Sequence, residues 1–193
     1  SIDGYFIHMP GIYIAYPSSA ADAKGLLKMA CRMNDPVLFM EHKGLYRQGY
    51  AATEEPDQEY VLPFGKGRIV SQGKDLTIIT WGAMVQKSIE AVQLLGLDNG
   101  QVEIIDLRTL NPIDMELIES SIQKTSKVLV VHEDNFTNGP GAEISALVAD
   151  KYFELLDGPV RRVAAKDSPV PFNWLLEEKV LPQAEDVVIA IEK

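Results

Sequence analysis

Strand-like and helix-like segments alternate along most of this 193-residue chain, and this alternation restricts the possible folds more than any other feature. Apolar runs such as Leu76–Trp81 and Lys127–Val131 have the length of buried strands. Between them, apolar residues recur at helical spacing, as in Met84–Leu95. The alternation predicts a layered α/β fold with a mostly parallel sheet.

The pattern is most complete in residues 66–193, where it predicts a five-stranded sheet. The predicted strands are Gly67–Val70, Leu76–Trp81, Val102–Leu107, Lys127–Val131 and Val160–Ala165. The predicted helices are Met84–Leu95, one capped by Asp114, one within Gly139–Leu156, and one near Ala184–Glu192 after a polar, proline-broken stretch.

Residues 1–47 contain a smaller strand–helix–strand unit. Strands are predicted at Ile12–Tyr16 and Val37–Met40, with a helix beginning at Ser19. Because one such unit cannot cover its own sheet, we expect it to lie against a neighbour or to end a larger domain. Residues 48–65 carry several acidic residues, two prolines and no basic residue, which is typical of an exposed linker between domains.

The composition excludes some classes of partner. The net charge of −10 argues against binding free nucleic acid and favours a basic protein partner. No apolar run approaches the length of a membrane span. Cys31 is the only cysteine, so no disulfide can form within the chain and a reducing compartment is expected. We place Cys31 in the first helix as a core residue.

Chemical motifs are sparse. The histidines are His8, His42 and His132, and no pair has the spacing of metal ligands. His42 and His132 follow apolar strands, at the ends where open α/β sheets bind ligands. Gly139-Pro140-Gly141 fits either a phosphate-binding helix start or a tight strand-to-helix connection. On the residues alone, the chain is an acidic α/β domain with no defined activity.

Ten segments together add a family resemblance. In order, they read FIHMPG, YPSSAADAKGLL, NDPVLFMEHKGLYR, LPFGKGRIV, GKDLTIITWGAMV, EIIDLRTLNPID, KTSKVLVVHE, GPGAEI, GPVRRVAAKDSPVPF and VLPQAEDVV. They resemble the beta chains of thiamine-diphosphate-dependent 2-oxo acid dehydrogenases, the decarboxylating components of the pyruvate and branched-chain complexes. The resemblance covers nearly the whole chain.

The resemblance implies a domain organisation. Residues 1–47 correspond to the last part of a pyrimidine-binding domain, as a β-α-β remnant, and residues 48–65 to a linker. Residues 66–193 correspond to a transketolase C-terminal domain, a three-layer α/β/α fold with a five-stranded mostly parallel sheet. It also implies that the family's active-site histidine and cofactor-binding glutamate lie upstream of the position matching Ser1. We therefore expect this chain to contain only part of the catalytic apparatus. By itself, the chain is not expected to bind thiamine diphosphate and Mg²⁺.

Site residues follow from the same resemblance. His42 and Lys43 match a strand end that faces the substrate channel in related transketolases. Ala30, Met33 and Asp35 match positions whose backbone carbonyls bind a structural potassium ion. These five positions are expectations carried over from the family.

Two further positions concern catalysis and partners. His8 is a secondary catalytic candidate, beside the histidine expected upstream. Asp157 matches a position that docks the basic subunit-binding module of the dihydrolipoyl acyltransferase core. The other implied partners are an alpha chain, or a fused alpha region, and a second beta chain.

The resulting hypothesis is a part of a 2-oxo acid dehydrogenase decarboxylating component that serves subunit association and docking, in the bacterial cytoplasm or the mitochondrial matrix. One alternative is a transketolase or deoxyxylulose-phosphate synthase relative, against which EHKGLYR and DAKGLL argue. The other is a non-catalytic interaction domain. The sequence does not identify the 2-oxo acid.

Overall fold

The computed structural model of the chain describes residues 2–97 and 100–193. The strands in these residues are β1 (Tyr13–Ala15), β2 (Val37–Phe39), β3 (Arg68–Ser71), β4 (Leu76–Thr80), β5 (Val102–Asp106), β6 (Thr109–Asn111), β7 (Val128–Asn135) and β8 (Arg161–Ala165). The α-helices are α1 (Asp3–Ile7), α2 (Ala20–Ala30), α3 (Met84–Leu94), α4 (Met115–Thr125), α5 (Pro140–Tyr152), α6 (Trp174–Val180) and α7 (Ala184–Ile191). Short 3₁₀ turns occur at Lys43–Leu45, Gly49–Ala51 and Phe153–Leu155.

The larger sheet has five strands in the order β3-β5-β4-β7-β8. β5, β4, β7 and β8 are parallel, and β3 pairs antiparallel with β5 at the edge. The central strands are buried, and helices cover both faces of the sheet. The predicted α/β class and mostly parallel five-stranded sheet are confirmed.

Alternating strand residues feed two separate cores. Ile79, Ile105 and Val130 face a core that includes Ile118 and Ile122 of α4. The opposite core, between the sheet and helices α3 and α7, is formed by Ile78, Ile104, Leu129, Val131, Met84, Val92, Ala184 and Val187, among others. This arrangement gives the three layers that were expected.

The helix starts follow local capping chemistry. The Ser19 Oγ accepts the backbone N–H of Asp22, and the Asp114 carboxylate accepts that of Leu117. The predicted caps of α2 and α4 are therefore confirmed. Helices α1 and α6 were not predicted, because each is short and α6 has no buried residue.

The smaller sheet explains how the first 47 residues cover their strands. It has the order β2-β1-β6, with β1 and β2 parallel. β6 comes from the second half of the chain and pairs antiparallel with β1, placing Ile14 opposite Asn111. Strand β6 was not among the predicted strands, and it ends at the cis peptide bond between Asn111 and Pro112.

The predicted linker lies along α2. The Lys24 Nζ donates to the Pro56 carbonyl at 2.7 Å, and the Leu62 N–H donates to the Gly25 carbonyl at 3.1 Å. These bonds hold residues 56–62 on the helix. The boundary at residues 48–65 stays a prediction, since β1 and β6 pair across it.

Cys31 was wrongly placed in the core. It is exposed at the C-cap of α2, because the helix ends at Ala30 and the chain turns there toward solvent. In the part of the chain that the structure describes, no helix combines the length and the apolar character needed to cross a bilayer.

Candidate functional site

Three consecutive polar residues lie where the ladder between β7 and β8 is irregular. Val131 pairs with Val163 and Asn135 with Ala165, so three residues of β7 lie opposite a single residue of β8. Such bulges change the direction of side chains along a strand. His132, Glu133 and Asp134 therefore reach three different partners.

Glu133 joins β7 to the end of β2. Its Oε2 lies 2.7 Å from the Nε2 of His42, and both side chains are mostly buried. The hydrogen bond with Glu133 raises the pKa of His42 above its ordinary value and outweighs the opposing effect of burial. The pair brings the predicted residue His42 against a residue that the sequence analysis did not single out.

A cavity of about 490 Å³ lies beside this pair. Its wall includes Ser18 and Ala23 from the region of α2, and His42, Tyr46 and Arg47 from the segment after β2. The Nδ1 of His42 is buried and has no hydrogen-bond partner among the described residues.

Lys43 follows His42 at the start of a 3₁₀ turn and is exposed. Of the two predicted channel residues, His42 lines the cavity and its neighbour Lys43 is open to solvent, and the channel itself stays a prediction. A cation beside a cavity can attract an acidic ligand.

Asp134 and Asp3 fasten helix α1 to the larger sheet. The Gly4 N–H donates to the Asp134 Oδ2 at 2.7 Å, and the Trp81 Nε1–H donates to the Asp3 Oδ2 at 3.1 Å. Asp3 is fully buried. Both contacts join residues that are distant in sequence, and neither was predicted.

His132 lies in the interior, as a stacked ring. It is 0 % exposed, and its ring centroid lies 5.5 Å from that of Trp81 at an interplanar angle of 5°. Burial lowers the pKa of His132 to about 4, so the ring is neutral at pH 7. In the described part of the chain, neither ring nitrogen has a hydrogen-bond partner.

The glycines at the start of α5 make room for this ring. A Cβ on Gly141 would lie 2.4 Å from the His132 Nε2, and one on Gly139 would lie 2.7 Å from its Cε1. Of the two interpretations of Gly139-Pro140-Gly141, the structure agrees with the tight strand-to-helix connection. Glycine is therefore required at both positions, because a Cβ would collide with His132 and, at Gly139, also with the Asn135 carbonyl.

A buried charge cluster joins the two parts of the chain. The Arg108 Nη2 lies 2.7 Å from the Asp22 Oδ1, and an Arg68 Nη2 lies 3.3 Å from its Oδ2. The Ser18 Oγ donates to the Asp106 Oδ2 at 2.5 Å. Burial raises the pKa of Asp106, although Ser18 and Arg68 oppose this effect. The sequence offered no signal for this cluster, in which the hydrogen bond between Ser18 and Asp106 alone spans 88 positions.

The other predicted positions lie on separate segments. His8 is exposed at the C-cap of α1. Asp157 is exposed after α5, where its backbone N–H donates to the Ser126 carbonyl at 2.8 Å. Both therefore keep accessible side chains.

The predicted potassium positions lie in the turn between α2 and β2. The Ala30 carbonyl accepts the Met33 N–H at 3.2 Å, and Asp35 is exposed. Every backbone carbonyl has a second lone pair that can bind a hard cation, so the potassium site stays a prediction.

The next question is whether side chains of the described residues form a site for a divalent metal ion. Among the residues that the structure describes, no group of three or more His, Cys, Asp and Glu is placed to hold a metal ion.

Two family models match the chain. The model described as "Transketolase, C-terminal domain" matches residues 65–187, and that described as "Transketolase, pyrimidine binding domain" matches residues 3–48.

Curated relatives are similar over nearly the whole chain. The pyruvate dehydrogenase E1 component subunit beta-1 of Arabidopsis thaliana is 40 % identical over 98 % of this chain and 52 % of its own length. The corresponding beta subunit of Staphylococcus epidermidis is 39 % identical, over 97 % of this chain and 57 % of its own length. The acetoin:2,6-dichlorophenolindophenol oxidoreductase subunit beta of Cupriavidus necator is 40 % identical, over 97 % of this chain and 55 % of its own length. The chain spans little more than half the length of these relatives.

A solved structure has a similar fold. It is titled "Split gene transketolase, inactive beta4 tetramer", has a TM-score of 0.76 and is 26 % identical. The similarity covers 98 % of this chain and 60 % of that one.

Proposed function

The chain belongs to the transketolase C-terminal domain family, and we propose that it is part of the beta subunit of a thiamine-diphosphate-dependent 2-oxo acid dehydrogenase decarboxylating component. The observation that carries this proposal is the 38–40 % identity to pyruvate dehydrogenase E1 beta subunits over 97–98 % of the chain. Such an enzyme decarboxylates a 2-oxo acid and transfers the acyl group to lipoamide.

In this proposal the cofactor supplies the carbanion chemistry, and this chain supplies a wall of the approach to it. The cavity that His42 lines and the exposed Lys43 next to it support this role. A protonated His42 and Lys43 would attract the carboxylate of a 2-oxo acid. Glu133 would keep the His42 ring oriented through the 2.7 Å contact.

Partners outside this chain would hold the cofactor. We propose an alpha subunit that holds the diphosphate and Mg²⁺, together with a second copy of the beta chain. A structural potassium ion at Ala30, Met33 and Asp35 would then stabilise the turn after α2. Titrating thiamine diphosphate and Mg²⁺ into this chain alone should give no heat of binding, and tight binding would contradict this division of roles.

Asp157 is the proposed contact for the acyltransferase core. Its exposed carboxylate on a chain of charge −10 suits a basic subunit-binding module. Asp157→Lys should weaken binding of that module, measured by calorimetry. Asp150→Lys, which changes another exposed acid, is the control. Equal effects of the two substitutions on binding would show that Asp157 is not a specific contact.

A second candidate activity is the oxidation of acetoin. It is favoured by the relative from Cupriavidus necator, whose identity of 40 % lies within the 38–40 % of the pyruvate dehydrogenase relatives. The two candidates share the fold and differ in the substrate.

An activity assay distinguishes the two candidate activities. It uses the natural protein that contains this chain, purified with the alpha subunit encoded in the same genome. We expect reduction of 2,6-dichlorophenolindophenol with pyruvate or a branched-chain 2-oxo acid as substrate. Reduction with acetoin alone would favour the second candidate. Loss of copurification with the alpha subunit, and no turnover of any of these substrates, would contradict both. Whichever is correct, we expect the protein to work in the cytoplasm or the mitochondrial matrix.

A further inference from the structure

A stretch of the segment after β2 covers the cavity that His42 lines. We call residues 43–54 the lid. Leu45 and Ala51 are the two lid residues that are not exposed, and both line the cavity. Another part of the wall is the start of α2 with the residues before it, namely Pro17, Ser18, Ser19, Ala20 and Ala23. The lid and the helix therefore enclose a mostly apolar space, whose volume of about 490 Å³ is typical of ligand sites.

The lid forms its hydrogen bonds locally. The Leu45 N–H donates to the His42 carbonyl at 2.9 Å, and the other hydrogen bonds of the lid among the described residues also have their partners within residues 41–52. Toward the larger part, Tyr50 lies near Glu90 of α3 but keeps a half-exposed side chain. A segment with local bonds and few buried contacts opens at a lower free energy than the sheet does.

Both ends of the lid are fastened. At the first end, the Nε2 of His42 lies 2.7 Å from the Oε2 of Glu133. At the other end, the Lys24 Nζ on α2 donates to the Glu55 Oε1 at 3.0 Å and to the Pro56 carbonyl at 2.7 Å. The first contact can serve as a hinge. We call the contacts of Lys24 the latch.

The chain beyond the latch is held on α2 by further contacts. The Leu62 N–H donates to the Gly25 carbonyl at 3.1 Å, and the Lys28 Nζ donates to the Gln58 carbonyl. A Cβ on Gly25 would lie 2.7 Å from the Leu62 Cγ and 2.8 Å from the Tyr60 Cε1, so both side chains pack directly on the helix. An opening movement would therefore be confined to the lid.

We propose that the lid swings about His42 when the latch opens, admits a ligand to the cavity and closes over it. The inference rests on the proposed function only for the identity of the ligand, a 2-oxo acid that approaches the cofactor. The lid carries Lys43 and Arg47, both exposed, so closure would bring basic groups toward an acidic ligand. Closure would also exclude water, which strengthens electrostatic interactions inside a site.

A thiol on the inner side of the lid tests this proposal. Ala51 is 8 % exposed and lines the cavity, so a thiol introduced by Ala51→Cys is protected while the lid is closed. Cys31→Ser removes the exposed cysteine, which is the only one in the chain. An aromatic disulfide reagent added to the purified chain should then modify the introduced thiol slowly, at a rate set by opening, and far faster once urea has unfolded the chain.

The latch supplies a matched pair of variants. Lys24→Met keeps most of the aliphatic stem and removes both hydrogen bonds, so it should accelerate the modification about 10-fold or more. Lys28→Met is the control, because Lys28 lies one turn further along α2 and binds the connecting stretch beyond the lid. It should change the rate by no more than about two-fold.

Low concentrations of urea separate lid opening from global unfolding. Opening the lid exposes little surface, so the rate should barely change below the unfolding transition, whereas a rate governed by global unfolding rises steeply with urea. Hydrogen exchange gives the same comparison without an introduced thiol. Peptides from residues 43–54 should exchange faster in Lys24→Met than in the unaltered chain, and peptides from β4 should not.

Several results would overturn the proposal. They are a thiol that reacts as fast in the folded chain as in the unfolded one, a rate that rises steeply with low urea, no acceleration by Lys24→Met in either measurement, and equal effects of Lys24→Met and Lys28→Met. The measurements need neither a substrate nor an alpha subunit. Failure of the lid is therefore distinguishable from failure of the proposed function.

Discussion

The two parts of the chain are held together in different ways. Residues 66–193 bury apolar strands between two layers of helices, with a separate core on each face of the sheet. Residues 2–47 have two short strands of their own and complete their sheet with β6. Ile14 and Tyr16 of the smaller part belong to the same core as Ile79 and Ile105. Polar contacts at His42–Glu133, Asp22–Arg108 and Asp3–Trp81 add to this attachment. The smaller part therefore depends on the larger one both for its third strand and for its core.

The strongest test of this comparison removes apolar volume from the larger sheet. Ile79 on β4 is fully buried, so Ile79→Ala should lower the free energy of unfolding by about 2–5 kcal/mol. Urea denaturation measures this. Ile189→Ala, at a half-exposed position on α7, should change it by less than about 0.5 kcal/mol. Similar values for both would contradict the assignment of the core.

Removing a charge from the contact between Asp22 and Arg108 should destabilise residues 2–47 before the larger part. Arg108→Ala leaves the buried Asp22 carboxylate with Arg68 at 3.3 Å, at a cost of about 1.5–3 kcal/mol. Hydrogen exchange should increase in α2 more than in β4. Arg161→Ala, at an exposed position on β8, is the control. Uniform exchange across both parts would show that they unfold as one unit.

Acid should act through His132. The pKa of His132 is about 4 in the folded chain, below the ordinary 6.5. The buried neutral ring therefore contributes fully to the free energy of unfolding above pH 6.5, and this contribution is lost as the pH falls toward 4. Between pH 7 and pH 5 the loss should be about 2 kcal/mol. His132→Leu should remove this part of the pH dependence in urea titrations. An NMR midpoint for His132 near 6.5 would contradict its burial as a neutral ring.

The smallest effect on stability is expected at the His42–Glu133 pair, which joins the two parts of the chain. Because Glu133 raises the pKa of His42, the pair stabilises fully below pH 6.5 and loses strength as the pH rises through the raised value. Glu133→Gln should therefore cost about 1 kcal/mol at pH 6 and less at pH 9. A cost that grows with pH would reverse the assigned direction. Glu143→Gln, at an exposed position on α5, should have no pH-dependent effect.

Local patterns predicted the elements of the fold well. Capping by Ser19 and Asp114, and the apolar runs of β4 and β7, depend on neighbours within a few residues, and these predictions hold. Strand β6 was missed because three residues pairing with a distant strand leave little local signal.

The site was predicted only in part. His42 and Lys43 were identified through the resemblance, and the structure adds Glu133 as the partner of His42. That contact spans 91 positions. The interior position of His132 depends on the bulge in β7 and on Trp81, which no periodicity could indicate.

The pairing of β1 with β6 has a consequence for the gene as well as for the fold. The backbone ladder between β1 and β6 joins the two family regions through space, together with their shared core and the polar contacts between them. The connecting stretch lies along α2, where the Lys24 Nζ donates to the Pro56 carbonyl and the Leu62 N–H donates to the Gly25 carbonyl. Two polypeptides divided there could recover the same arrangement by fragment complementation, so a break in the coding sequence at this point need not separate the two halves.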